Sequence, residues 1–198
     1  MAITAEAVKE LRERTGAGFM DCKRALEETD GDIEQAVALL RERGVAAAAK
    51  KAGREAREGL VSSYIHTGGR IGVLIEVNCE TDSVARTEQF QALVRSLAMQ
   101  VAGLRPLYPT IESIPSDVLE AKKAALASDE TVLAKPENVR AKIVEGQLKK
   151  WFGEVVLLEQ PYRDTDQTVG ALITDAIATI GENIRVRRFV RYELGEEM

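Results

Sequence analysis

EVNCETDSVAR, residues Glu76–Arg86, joins two different hydrophobic periodicities, and the rest of the chain is organised around it. Before it, β-branched side chains recur at positions 71, 73, 75 and 77, and this period of two predicts a half-buried strand. After it, apolar side chains from Val84 to Val101 follow the three-and-four spacing of an amphipathic helix. The polar segment Asn78–Asp82 is therefore predicted to be a strand-to-helix junction.

The junction has two interpretations. Thr81 or Asp82 can accept hydrogen bonds from the first N–H groups of the helix, and Glu88 lies where the helix dipole favours an acid. A capped helix start is one interpretation, and it is the common role of acidic residues at such positions. A functional role for the segment is the other, and sequence physics alone leaves both open.

The composition is typical of an ordinary globular protein. The chain has 198 residues, 45% of them hydrophobic and 30% charged, and its apolar runs are all shorter than the roughly 18 residues that span a bilayer. A net charge of −5 argues against nucleic acid as the main partner. The first residues resemble neither a signal peptide nor a transit peptide. We therefore expect a cytoplasmic protein, or a stromal one if an organelle genome encodes it, without membrane association.

Metal-ligating and thiol side chains are few. Cys22, Cys79 and His66 lie far apart in sequence and have no zinc-binding spacing. The thiols are expected to be reduced, as in a cytosolic protein, and neither a metal site nor a cofactor is expected.

Residues 1–44 are predicted to form a compact bundle of three short helices. Thr15–Gly18 forms a turn between the first two, because its glycines permit positive φ. Asp32 caps the third helix, and Gly44 is expected to end it. Residues 45–58 are rich in alanine and charge, which indicates a helical connector.

Residues 59–198 are predicted to form the core. Leu60–His66 and residues 70–78 are strands joined by a hairpin turn, and Ile184–Leu194 is the last strand. Helices are predicted at residues 84–103, 115–127, 136–158 and 168–180. The predicted fold class is α+β: an N-terminal three-helix bundle, a helical connector, and a three-stranded antiparallel sheet with helices packed on one side.

The sequence contains no recognised catalytic motif. It lacks the GxxxxGK[ST] loop, the GxGxxG turn and the GxSxG elbow. Cys79, His66 and Asp82 would lie near one end of the hairpin as a thiol, base and orienting acid, but a buried structural cysteine is the commoner arrangement. We therefore predict a protein that is not an enzyme and has no catalytic residues.

Two surface features could bind a partner. Arg185, Arg187, Arg188 and Arg191 form a basic stripe on the last strand, which could hold RNA or could be an acid-paired sheet edge. Phe19-Met20 beside the glycine turn could recruit a protein or pack in the core.

Three segments together resemble the elongation factor Ts family. They are LRERTGAGFMDCKRAL (Leu11–Leu26), the junction Glu76–Arg86, and IGENIRVRRF (Ile180–Phe189). The resemblance covers nearly the whole chain, and the first two motifs are highly specific in this order and spacing. It implies a ubiquitin-associated-like bundle at 1–44, a connector at 45–58 and a dimerisation core at 59–198. The chain is similar to the short members of the family, which have one core sheet.

The resemblance implies guanine-nucleotide exchange without bond chemistry. Family members bind nucleotide-free elongation factor Tu better than its GDP-bound form, and by linkage they lower its affinity for GDP. In the family, a Thr-Asp-Phe-Val segment displaces Mg²⁺ from the partner's phosphate site. That role falls here on Thr81, Asp82, Ser83 and Val84.

The resemblance also implies further contacts. The bundle would contact a helix of the partner's G domain through Arg12, Phe19 and Met20. Short members of the family can pair their cores, so a homodimer through the core sheet is expected. The chain departs from the family at Ser83, where phenylalanine is usual. The alternative function is an RNA- or ribosome-binding module that uses the Arg185–Arg191 strand.

Overall fold

A computed structural model describes residues 3–163 and 165–197, and it confirms the α+β class with N-terminal helices and a three-stranded antiparallel sheet. The elements in chain order are α1 (Ala5–Thr15), α2 (Phe19–Glu28), α3 (Ile33–Lys51), β1 (Glu58–Ile65), β2 (Ile71–Cys79), α4 (Asp82–Ala85), α5 (Glu88–Leu104), α6 (Ser116–Ala127), α7 (Glu130–Leu133), α8 (Glu137–Val155), α9 (Val169–Ile180) and β3 (Arg185–Glu193). The chain divides into two compact units. The first comprises the chain through Leu60, Val77–Leu93 and Ala171–Arg185; the second comprises Val61–Glu76, Val94–Gly170 and the residues after Arg185.

The first unit contains the three N-terminal helices. Thr4 caps α1 by accepting a hydrogen bond from the Ala7 N–H at 3.2 Å, and Asp32 caps α3 by accepting one from the Gln35 N–H at 2.9 Å. Gly16, with φ of 67°, ends α1 in the left-handed conformation that glycine adopts without strain. The buried side chains that hold the helices together are Val8, Leu11, Cys22, Ala25, Leu26, Ala36 and Val37.

The expectation that Gly44 ends the third helix is wrong. Helix α3 continues through Gly44 to Lys51. Gly44 is buried there, and a Cβ added to it would lie 3.3 Å from the Cβ of Ala178 in α9. This glycine therefore permits close helix packing and does not serve as a C-cap.

The central strand of the sheet is β2, which has β1 and β3 as neighbours. The hairpin between β1 and β2 is closed by the His66 N–H, which donates to the Ile71 carbonyl at 2.9 Å. Val73, Ile75 and Val77 are buried and Leu74 is 47% exposed, so the predicted period of two is confirmed.

The predicted helix at 84–103 is two helices. The short helix α4 ends at Ala85, and α5 begins at Glu88. Thr87 separates them because its hydroxyl accepts a hydrogen bond from the Phe90 N–H at 3.3 Å, as a cap does. The predicted apolar face of α5 is buried through Phe90, Val94, Leu97 and Val101.

The second unit contains helices α6, α7 and α8. The helix predicted to reach residue 158 ends at Val155, and a 3₁₀ turn at Leu157–Glu159 follows it. The turn leads to Gln160, whose buried side-chain amide donates to the carbonyl oxygens of Leu104 (3.2 Å) and Glu154 (3.1 Å). None of the helices in the described parts of the chain has the length and apolar character needed to cross a membrane.

Candidate functional site

The junction after β2 is a tightly capped turn. The Thr81 hydroxyl accepts a hydrogen bond from the Val84 N–H at 3.3 Å, so Thr81 is the N-cap of α4. Asp82 is the first residue of that helix, and its carboxylate pairs with Arg86 at 2.7 Å. Of the two capping residues that the sequence allowed, the structure selects Thr81, which leaves the Asp82 carboxylate at the surface.

The predicted exchange residues form a short projecting row. Thr81, Asp82 and Ser83 are exposed, Val84 is half-buried, and Ala85 is 2% exposed. Buried Ala85 therefore anchors the helix, while the three consecutive polar residues before Val84 stay accessible to solvent. Such a row can enter a cleft in another molecule without uncovering the core of its own unit.

Two glutamate carboxylates fix the junction to the turn after α9. Each accepts hydrogen bonds from the segment that contains the other. The Glu182 carboxylate accepts from the N–H groups of Glu80 and Thr81, both at 3.0 Å, and from the Thr81 hydroxyl at 2.7 Å. The Glu80 carboxylate accepts from the Asn183 N–H at 2.7 Å. We call this reciprocal arrangement of Glu80, Thr81, Glu182 and Asn183 the glutamate clamp.

The glutamate clamp is tied to the segment that follows α3. The Asn183 side-chain amide donates to the Arg54 carbonyl at 2.7 Å, and the Arg54 guanidinium lies 3.5 Å from the Glu80 carboxylate. Asn183 is 2% exposed, so its bond to the Arg54 carbonyl is shielded from water, whereas the Arg54 side chain is 53% exposed. Sequence reasoning missed Glu182, Asn183 and Arg54, because their partners lie far away along the chain and no local pattern marks them.

Cys79 lacks the environment of a reactive thiol. Burial, and then the nearby Glu182 charge, raise the pKa of the Cys79 thiol to about 11, whereas reactive cysteines have lowered pKa values. His66 pairs with Ile71 at the beginning of β2, and Cys79 ends the same strand, roughly 25 Å further along at about 3.3 Å per residue. The expectation that these two side chains lie near one hairpin end is therefore wrong.

The predicted contact residues of the bundle also lie at the surface. Phe19 and Met20 begin α2 and are 51% and 60% exposed, and Arg12 is exposed on α1. The structure therefore excludes the alternative in which Phe19-Met20 packs in the core. These residues and the junction belong to the same compact unit.

The arginines of β3 are engaged by protein acceptors. Arg187 and Arg188 pair with Glu76 at 3.7 and 2.7 Å, and Arg191 pairs with Glu193 at 2.9 Å. The Arg185 guanidinium donates to the Ala52 carbonyl. The acid-paired interpretation of this stripe therefore describes it better than a free phosphate-binding surface does.

The candidate site combines an exposed polar row with an exposed apolar pair. Among the residues that the structure describes, no three His, Cys, Asp or Glu side chains are grouped so as to hold a metal ion. Exposed apolar side chains rimmed by polar ones are a feature of surfaces that bind other proteins.

Comparison with known proteins assigns the family. The family described as elongation factor TS matches residues 3–196. Proteins named elongation factor Ts from Carboxydothermus hydrogenoformans and Heliobacterium modesticaldum are each 58% identical over 98% of this chain and 90% and 91% of their own length. One from Caldanaerobacter subterraneus subsp. tengcongensis is 58% identical over 98% of both chains. This chain belongs to the elongation factor Ts family of translation factors.

Proposed function

We propose that this protein binds GDP-bound elongation factor Tu and promotes release of GDP, so that GTP can bind. It makes and breaks no covalent bond, and it acts in the cytoplasm. Membership of the family supports the identity of the partner. The observation that carries the proposal is the projecting row of Thr81, Asp82 and Ser83, whose backbone the glutamate clamp fixes in advance.

The proposed mechanism is differential binding. The row disturbs the Mg²⁺ and phosphate site of the partner, so the factor binds the nucleotide-free form more tightly than the GDP-bound form. By thermodynamic linkage, the factor weakens GDP binding by the same ratio. A fixed row suits this role, because a mobile one would lose conformational entropy at the moment of insertion.

We assign different roles to the two surfaces of the first unit, the junction and the N-terminal bundle. The residues that disturb the Mg²⁺ site are Thr81, Asp82, Ser83 and Val84. The residues that contact the G domain are Arg12, Phe19 and Met20, whose exposed apolar side chains supply contact area. In functional terms, residues 1–44 are the docking bundle, 45–58 the connector and 59–198 the core.

Release of a fluorescent GDP analogue from elongation factor Tu tests the function directly. Adding this protein should accelerate release in a saturable way, and the purified protein alone should show no nucleotide turnover. An unchanged release rate at micromolar concentrations of this protein would refute the proposal. Retention of RNA on a filter in a strongly salt-dependent way would instead favour the RNA-binding alternative.

Asp82→Ala should lower the saturating release rate several-fold and change the half-saturating concentration little. Asp82 contributes one exposed carboxylate, whereas the bundle contributes most of the contact area. Arg86→Ala is the matched control, because it breaks the same ion pair, which is worth about 0.3–0.5 kcal/mol as an exposed i,i+4 pair. Equal losses in both variants would mean that the ion pair, not the carboxylate, matters.

We propose further that two copies pair through the outer face of the sheet. In the second unit this face exposes Val61 (64%), Leu74 (47%), Val190 (40%) and Tyr192 (71%). It also contains a groove of about 350 Å³, lined by Val61, Leu74, Ile75, Glu76, Arg188, Phe189 and Val190. An apolar sheet face of this kind requires cover in water, and a second copy of the same face is the partner that the family implies.

Light scattering at tens of micromolar protein should give a dimer mass, and Leu74→Arg should give a monomer. A buried charge without a counter-ion opposes association across an apolar face. Leu133→Arg is the matched control, because Leu133 lies on α7 and is 48% exposed, close to the 47% of Leu74. A monomer mass for the unmodified protein would exclude this dimer.

A further inference from the structure

The glutamate clamp joins two segments of the first unit, Val77–Leu93 and Ala171–Arg185, at the base of the projecting row. Glu182 lies in the turn between α9 and β3, about a hundred residues from the junction. Its carboxylate receives three hydrogen bonds from Glu80 and Thr81, two from backbone N–H groups and one from a hydroxyl. Bonds to an ionised carboxylate are shorter and stronger than bonds between neutral groups.

Helix α4, which carries the row, is too short to be stable by itself. It has four residues, which is a single turn. A single turn is unstable without tertiary contacts, because the free-energy cost of fixing its backbone exceeds the gain from one hydrogen bond. The Thr81 hydroxyl donates to Glu182 and accepts from the Val84 N–H. Glu182 therefore orients the hydroxyl so that its lone pair faces α4.

The clamp acts on the row through one residue. Asp82 and Ser83 follow Thr81 directly, and the Glu182 carboxylate bonds to Glu80 and Thr81, so Glu182 acts on them by fixing the backbone and cap of Thr81. The hydrogen bond from the Asn183 N–H to the Glu80 carboxylate also holds the turn after α9 against the junction. The row can then point in one direction before any partner arrives.

We propose that Glu182 is a positioning residue for nucleotide exchange: through the glutamate clamp it holds Thr81, and with it Asp82 and Ser83, in the conformation that enters the partner. This inference rests on the proposed function. Without the Glu182 carboxylate, the row would have to be ordered at the step in which it enters the G domain. The loss should therefore fall on GDP release at saturation, and affinity should be largely retained because the bundle docks as before.

Glu182→Ala should slow saturating GDP release about five- to tenfold, as expected for losing charge-assisted hydrogen bonds, and should change the half-saturating concentration less than about twofold. Glu182→Gln should recover part of the rate, because the amide oxygen can still accept from the two N–H groups. Asp129→Ala is the matched control. The Asp129 carboxylate also accepts from a threonine N–H and hydroxyl, those of Thr131, but at the start of α7.

Two further measurements separate positioning from a general loss of stability. In the free protein, amide hydrogen exchange at Glu80 and Thr81 should quicken in Glu182→Ala, while amides in the buried part of α5 keep their protection. In the double variant with Asp82→Ala, the loss from Glu182→Ala should shrink, because both changes disable the same row.

The outcomes distinguish the two proposals. If the unmodified protein does not accelerate GDP release, the proposed function fails and the role of Glu182 in exchange fails with it. If the unmodified protein accelerates release and Glu182→Ala does so equally well, the positioning role alone is overturned. It is overturned as well if the rate losses of Glu182→Ala and Asp82→Ala multiply independently, or if Asp129→Ala slows saturating release as much.

Discussion

Ser83→Phe should accelerate GDP release at saturating factor by about one order of magnitude. A buried phenyl ring contributes roughly 1.5–3 kcal/mol, and each 1.4 kcal/mol corresponds to about a factor of ten. The structure supports the substitution because Ser83 is exposed on α4 between the cap at Thr81 and buried Ala85. A ring at this position leaves the core unchanged in the free protein, so the melting temperature should change little.

The Mg²⁺ dependence of the gain tests its mechanism. If the ring favours the state of elongation factor Tu that has lost Mg²⁺, chelating the ion should achieve the same effect, and the advantage of Ser83→Phe should shrink. Ser83→Ala is the control, because it removes the hydroxyl without adding a ring and should not reproduce the acceleration. An unchanged rate for Ser83→Phe at every Mg²⁺ concentration would show that the row does not reach the ion's site.

Gly59→Ala should lower the free energy of unfolding by about 3 kcal/mol or more, the range expected when backbone strain and steric overlap combine. Gly59 has φ of 135°, a conformation that side chains disfavour. A Cβ there would overlap the Val77 carbonyl oxygen and lie 2.7 Å from the Cα of Asn78. Neither neighbour can move freely, because both belong to the backbone of β2 just before the junction.

Urea unfolding would measure the loss for Gly59→Ala, with an unchanged m-value showing that the same surface is exposed. Gly103→Ala is the control. Gly103 lies in α5, and an added Cβ would have no atom within 4 Å. That change should stabilise the protein by about 0.5–1 kcal/mol, because alanine loses less conformational entropy in a helix. A loss below about 0.5 kcal/mol for Gly59→Ala would contradict the close approach of β1 and β2.

Periodic burial is the part of the fold that the sequence predicts well. The alternation in β2 and the three-and-four spacing in α5 both correspond to side chains that the structure buries, because a strand or helix with one apolar face must turn that face inward. The predicted bounds of β3 and α9 agree with the structure within a residue or two. The exposed position of Thr81, Asp82 and Ser83 also follows from their place between two such elements.

The roles of glycines and of capping side chains are harder to predict from sequence, because the same residue type can serve more than one structural role. Gly44 resembles a helix end in sequence, but it permits α3 to approach Ala178, and nothing near residue 44 indicates that neighbour. Thr87 interrupts the predicted helix because its hydroxyl caps α5. The spacing of the apolar residues around Thr87 does not indicate this break.

The sequence by itself determined the fold class, the order of the elements, and the presence of an exposed polar junction between β2 and the helices that follow. Hydrophobic periodicity is a local property, and local chain geometry converts it into strands and helices. Only the tertiary structure decided what holds the junction. The hydrogen bonds from Glu80 and Thr81 to Glu182, and from Asn183 to Glu80, join residues about a hundred positions apart. They form only after packing has brought those backbones within hydrogen-bonding distance, about 3 Å, and no residue pattern within either segment encodes that approach.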